Sequence, residues 1–205
     1  MGINTAALVL AAGQASRFGA IKQLANLNGL PMIIHALARL EGLSLQAVYV
    51  VLGANDEAIQ VHLPATVTVV HAPDWGRGMG HSLACGIEQL PDDINHVLVT
   101  LCDQVAIEQG DYQRLLQRSH QHPEKIIASD YGQRMGVPAI FCRSDFCALT
   151  KLSGDKGARD YLQQQIARLQ LVFMPNARTD IDTQDDLIQW QENRQRSGHD
   201  PLQTE

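Results

Sequence analysis

The chain has 205 residues, 45% of them hydrophobic, which suffices for one domain burying about 70% of the surface its unfolded chain exposes and is short for two. Its formal charge of -6 excludes the broad basic face that a nucleic-acid backbone or an anionic membrane requires, so any phosphate site must be local. No segment approaches the roughly 18 apolar residues of a membrane helix.

An apolar run over residues 6–12 opens the chain; no Lys or Arg precedes it and it is too short for a signal peptide, while the cysteines, which read as free thiols, suit a cytoplasmic location. The run breaks into Leu10-Ala11-Ala12-Gly13, where small residues keep side chains away from the turn amides and let a ligand lie against bare backbone. Arg17 and Lys22 add a planar fork and a mobile point charge beside those amides, the parts of a triphosphate cradle. The loop is neither a Walker loop, since Gly19 is not followed by Lys-Ser/Thr, nor a G-x-G-x-x-G dinucleotide fingerprint.

Helical spacing follows over 32–40, then a near-continuous apolar strand over 47–52 that reads as covered on both faces. Asn55 can cap a short helix to about residue 63, and 67–70 forms a third strand. This alternation predicts a parallel sheet wound by right-handed crossovers. The stretch 74–83 packs Gly76, Gly78 and Gly80 ahead of a helix capped near Ser82. Two readings stand: the glycines make a tight connection, or Gly78 and Ser82 belong to a second ligand loop whose helix start points amides at a polar guest. His81 is either a base contact or a solvated loop histidine.

The fourth strand, 96–102, delivers Asp103 at its carboxyl end, where ligands bind in open parallel sheets; a turn cap is the plainer alternative. A helix spans 112–122, and its His120-Gln121-His122 end has no third ligand nearby. Beyond the strand starting at 126, Pro138 implies an edge position or strand start, and with it a smaller mixed sub-layer closing over an acceptor. Ser153-Gly154-Asp155-Lys156-Gly157 opens a helix over 158–166, and 171–173 is a late strand. Thr183 and Asp186 form a capping box for the last helix, leaving Asp180 and Asp182 alternating about Ile181. Residues 1–193 make a single domain and 194–205 a polar, frayed tail. The four cysteines, Cys85, Cys102, Cys142 and Cys147, form no C-x-x-C pair and read as free thiols rather than zinc ligands or disulfides.

Taken together, the first loop, Leu101-Cys102-Asp103-Gln104, Gly154-Asp155-Lys156-Gly157-Ala158-Arg159 and Asp180-Ile181-Asp182-Thr183 resemble the molybdenum cofactor cytidylyltransferases, over residues 6–190. The resemblance implies an α/β fold: a three-layer α/β/α sandwich with a mostly parallel, Rossmann-like sheet of the nucleotide-diphospho-sugar transferase type. It implies transfer of CMP from CTP to the phosphate of molybdenum-loaded molybdopterin, releasing pyrophosphate, and docking on a client molybdoenzyme. Asp103 and Asp182, with Asp180 as an alternative ligand, would hold Mg2+; Arg17 and Lys22 would neutralise the triphosphate, and Lys156 would bind the acceptor phosphate or steer the pterin. Related guanylyltransferases tend to read Leu-Ala-Gly-Gly in the first motif, so the methyl of Ala12 favours a pyrimidine by about 1–3 kcal/mol. The chain departs from the family pattern at Val105, where many members carry Pro, and at Val137, where many carry His. A guanylyltransferase, another cytidylyltransferase acting on methylerythritol phosphate or a sugar phosphate, and a non-catalytic carrier are the competing readings.

Overall fold

The computed structural model describes residues 2–132 and 134–197. Strand β1 (Thr5–Leu10) leads through the first loop to a short hairpin, β2 (Asn26–Leu27) and β3 (Leu30–Pro31), and then to α1 (Met32–Ala38). The hairpin turns on Asn28 and Gly29 at φ of 52° and 90°, the paired positive values of a two-residue turn whose twist matches its strands. Next come β4 (Ala47–Leu52), α2 (Asp56–Gln60), β5 (Val67–His71), α3 (Met79–Glu88), β6 (His96–Leu101) and α4 (Gln109–Gln121). The second half runs β7 (Ile126–Asp130), β8 (Met135–Cys142), α5 (Arg143–Leu149), α6 (Arg159–Gln164), β9 (Leu169–Phe173) and α7 (Gln184–Ser197).

Seven strands form one sheet in the order β5-β4-β1-β6-β8-β7-β9. The pairs β5/β4, β4/β1, β1/β6 and β7/β9 are parallel, whereas β8 runs antiparallel to both neighbours. Each central strand buries both faces. Leu8 and Leu10 point to one side, where Leu83, Phe146 and Leu162 bring α3, α5 and α6 against the sheet. Ala7 and Val9 point to the other, against Ile33 of α1, Ile59 of α2 and Leu115 of α4. The result is the three-layer α/β/α sandwich expected. A separate cluster of Phe18, Leu27, Met32, Val105, Ile181, Leu187 and Trp190 fastens α7 to the first loop and the hairpin.

Several expectations need correction. The region around Pro138 is no separate sub-layer and no edge: β8 lies inside the main sheet. Pro138 is tolerated there because pairing jumps from Ala128 with Ala139 to Ser129 with Gly136, leaving residues 137–138 outside the ladder. Asn55 does not cap α2 with its side chain; it sits at φ 60°. Helix α3 begins at Met79 with Gly78 before it, so Ser82 is a buried residue of its second turn rather than its cap. Helix α5 has no counterpart in the sequence reading. The capping box of α7 forms, with the Asp186 amide donating to Thr183 Oγ1 at 3.2 Å and the Thr183 amide to Asp186 Oδ2 at 2.8 Å. That helix continues through Ser197; the rest of the expected tail, 198–205, lies outside the described residues. All four cysteines are free, Cys102 and Cys142 buried and Cys147 exposed.

Candidate active site

A cleft of about 370 Å3 opens at the carboxyl ends of the parallel strands, lined by Leu10, Ala11, Ala12 and Gly13 at the end of β1 and by Leu101, Cys102 and Asp103 at the end of β6. Its first wall is backbone. Among the described residues, the amides of 12–17 donate to no protein acceptor, while the neighbouring Ala11 and Phe18 amides are bonded to Val51 and Ala15 carbonyls at 2.9 Å. Gln23, buried beneath this loop, donates through Nε2 to the carbonyls of Ala11 at 2.7 Å and Gly13 at 2.9 Å, which pins two of the loop's carbonyls from below. Gln23 carries no sequence signal of this role, since nothing in a polar residue after a lysine marks a clamp on a loop ten residues earlier.

Charge is concentrated at the β6 side of the cleft. Lys22 Nζ lies 2.6 Å from Asp103 Oδ2 and 3.3 Å from Asp182 Oδ1, so one ammonium joins the two aspartates from distant parts of the chain. Burial works against the charged lysine, yet the facing Asp103 and Asp182 carboxylates more than offset it and hold its pKa above the usual value. Arg17 NH2 meets the other oxygen of Asp182 at 3.0 Å from a largely exposed position on the rim. Asp182 is fixed in turn by the Ile181 amide, which donates to the Asp103 carbonyl at 3.1 Å, and by its own amide, which donates to Asp186 at 3.0 Å. Asp180 lies outside the cleft lining, and burial followed by the charges of Asp103 and Asp182 pushes its pKa up to about 7. Gln104 braces the same corner, donating to the carbonyls of Val137 at 3.0 Å and Ala177 at 2.8 Å.

Among the described residues Asp103 Oδ1, which is buried, has no hydrogen-bond partner, an expensive arrangement for a carboxylate oxygen and one that a cation would relieve. Among the described residues no three His, Cys, Asp or Glu side chains converge as a metal cage. Two hard carboxylate donors with space beside them suit a cation such as Mg2+ that completes its shell with phosphate oxygens and water.

The far wall comes from the glycine-rich loop, which contributes Trp75, Gly76, Gly78, Met79 and Ser82, and from Asp155. Its glycines divide between the two readings offered above. Gly78, at φ 98°, and Gly80 lie where a Cβ would fall 2.4 Å from Gly154 and 2.9 Å from Ser153, so they bring two backbones together. The Gly80 amide donates to Gly154 O at 2.8 Å and the Gly154 amide to Arg77 O at 2.9 Å. His81 is absent from the cleft lining; its Nε2 lies 3.7 Å from Cys85 Sγ one turn along α3. Lys156 stands in an adjoining pocket of about 180 Å3 with Arg134 and Arg159, over a floor that includes Leu10, Met79 and Val137. There it pairs with Asp160 at 3.1 Å.

A cleft with bare amides, a lysine and two aspartates at one end and a wall of Trp75, glycines and Met79 at the other suits a phosphate chain beside the remainder of a nucleotide, which is the arrangement of a nucleotidyltransferase. Residues 7–169 match the model of the MobA-like NTP transferase domain, and the chain belongs to that family. A curated relative, the bifunctional protein GlmU of Cutibacterium acnes, is 33% identical over 118 residues; the match spans 55% of this chain but 28% of that protein. Among solved structures, Rv0371c from Mycobacterium tuberculosis superposes with a TM-score of 0.83 at 23% identity, over 94% of this chain and 99% of that one. The same protein in complex with manganese gives 0.78 at 22% identity, over 92% and 98%. A nucleotidyl transferase from Methanothermobacter gives 0.79 at 21%, covering 96% and 100%. Identities this low establish a shared fold.

Proposed function

We propose that the chain transfers CMP from CTP to the phosphate of molybdenum-loaded molybdopterin, forming molybdopterin cytosine dinucleotide and pyrophosphate. The observation that carries this reading is Lys22 held between Asp103 and Asp182 beside a strip of amides and an Asp103 oxygen that have no partner among the described residues. In the reaction, an acceptor phosphate oxygen attacks the α-phosphorus of CTP, and the bond to the β-phosphate oxygen breaks. No general base is needed, since a phosphate monoester is largely ionised near neutral pH. Positioning and charge stabilisation therefore supply the catalysis.

Asp103 and Asp182 would hold a divalent cation, which supplies neutralisation of the phosphate oxygens; manganese in the Rv0371c complex supports divalent metal use in this fold. The amides of 12–17 receive phosphate oxygens, Lys22 remains charged beside the leaving group, and Arg17 grips two oxygens from the rim. Lys156, with Arg134 and Arg159, offers positive charge to the acceptor phosphate over an apolar floor suited to a flat pterin. Ala12, buried and on the cleft wall, narrows the space for a base.

Incubation with CTP or GTP, Mg2+ and molybdenum-loaded pterin, followed by mass identification of the product, tests donor and acceptor together. The cytosine dinucleotide is the expected product. Turnover only with methylerythritol phosphate or a sugar phosphate, or only with GTP, overturns the assignment.

A further inference from the structure

The charged end of the cleft accounts for phosphates and leaves its other end without a role. Lys22 and Asp103 lie on the β6 side of the first loop, whereas Trp75 follows β5, on the opposite side of that loop in the strand order β5-β4-β1-β6. Trp75 packs on Gly53, just past β4, so about two strand spacings separate it from the β6 side, roughly 10 Å at about 4.8 Å each, a distance that a nucleotide lying across the strand ends can bridge. Trp75 begins a short 3-10 turn, its amide anchored to the Ala72 carbonyl at 3.1 Å, and its half-buried side chain lines the cleft beside Ala11, Ala12 and Gly13.

Gly53 makes this placement possible. A Cβ at that position would fall 2.6 Å from Trp75 Cβ, 2.7 Å from its Cγ and 2.9 Å from the Ala12 carbonyl oxygen. Any larger residue would drive the indole away from the small-residue strip. We propose that the Trp75 indole is the platform on which the nucleotide base lies, opposite the phosphate end. This rests on the nucleotidyltransferase reading above and assigns the base a residue within it. Because every base has a π face, stacking of this kind supplies affinity with little base selectivity. Purine exclusion then remains with the neighbouring Ala12.

The chain has two tryptophans, and Trp190 lies in the separate cluster under α7, edge-on to His35 at 5.9 Å. A Trp190→Phe variant therefore leaves Trp75 as the sole indole emitter. Titration with Mg-CTP should change its emission, while tripolyphosphate, which lacks a base, should bind without doing so. In the otherwise native chain, Trp75→Ala should weaken calorimetric binding of CTP about 10-fold or more, leave tripolyphosphate within about twofold, and be largely rescued by Trp75→Phe. The ratio of CTP to GTP affinity should stay unchanged. CTP that binds Trp75→Ala as tightly as the native chain overturns the proposal and leaves the transferase reading standing. If no nucleoside triphosphate binds the native chain, both fall.

Discussion

At the scale of single residues, Lys22 is the pivot because it touches both Asp103 and Asp182 and so offsets their mutual repulsion. Asp103→Ala removes its shorter contact and Asp182→Ala its longer one, without emptying core volume. Each should lower kcat roughly 10²–10³-fold, the usual cost of losing one preorganised electrostatic contact. The variants should still unfold cooperatively in urea, since Lys22 keeps one carboxylate partner in either case. Full activity in Asp182→Ala together with an inactive Asp180→Ala would transfer the proposed role to Asp180. For Ala12, only van der Waals space is at issue. Ala12→Gly should lower the ratio of kcat/KM for CTP over GTP while CTP turnover stays within about tenfold. An unchanged ratio would place base choice elsewhere on the cleft wall.

At the scale of elements, the two loops that close the cleft opposite the phosphate end are locked backbone to backbone. Gly78→Ala meets both a φ of 98° and a contact of 2.4 Å with Gly154, and Gly80→Ala a contact of 2.9 Å with Ser153. Each should cost about 1–3 kcal/mol in urea unfolding and weaken CTP binding. Gly76→Ala is the control: a Cβ there meets nothing within 4 Å, so stability should change by less than about 0.5 kcal/mol. A second element-level coupling joins α1 to α7, where His35 packs under Trp190. Burial, then the charges of Arg39 and Arg194, lower the pKa of His35 to about 4. The unfolded chain takes up a proton near pH 6.5 that the folded chain refuses, so stability is complete above that pH and declines as pH falls towards 4. At pH 5 the loss should be about 2 kcal/mol, and His35→Gln should remove most of this decline relative to neutral pH.

Across the whole molecule, the cleft and the ion pair of Arg168 with buried Asp145 occupy opposite ends of the sheet. Asp145, fully buried at the start of α5, accepts from Arg168 at 2.6 Å, from the Tyr161 hydroxyl at 2.8 Å and from the Cys142 amide at 3.1 Å. It thereby ties β8, α5, α6 and the turn before β9 together. Cys142 pairs with His96, which starts β6, whereas Asp103 lies just beyond that strand's far end. Arg168→Met should therefore destabilise the fold by about 3 kcal/mol through an uncompensated buried carboxylate, and leave the CTP dissociation constant of the folded protein unchanged. A parallel loss of nucleotide affinity would show that the two ends are coupled.

Local pattern alone was enough for the parallel half of the sheet, the position of Asp103 past β6 and the Thr183–Asp186 capping box, because each depends on residues a few positions apart. The site residues were legible as motifs, but their convergence was not: Lys22, Asp103 and Asp182 meet only once crossovers place β6 beside β1 and α7 folds back over the first loop. The internal place of β8, the buried Asp145 in α5 and the clamp made by Gln23 follow from tertiary structure, since each answers a partner far along the chain. The same holds for the glycines. Sequence marks them as permissive, and only the approach of Gly154 to Gly78 and of Trp75 to Gly53 determines which backbone or ring needs the space. Periodicity and capping are properties of adjacent residues, whereas a desolvated charge or an excluded Cβ is defined by whatever the fold brings against it.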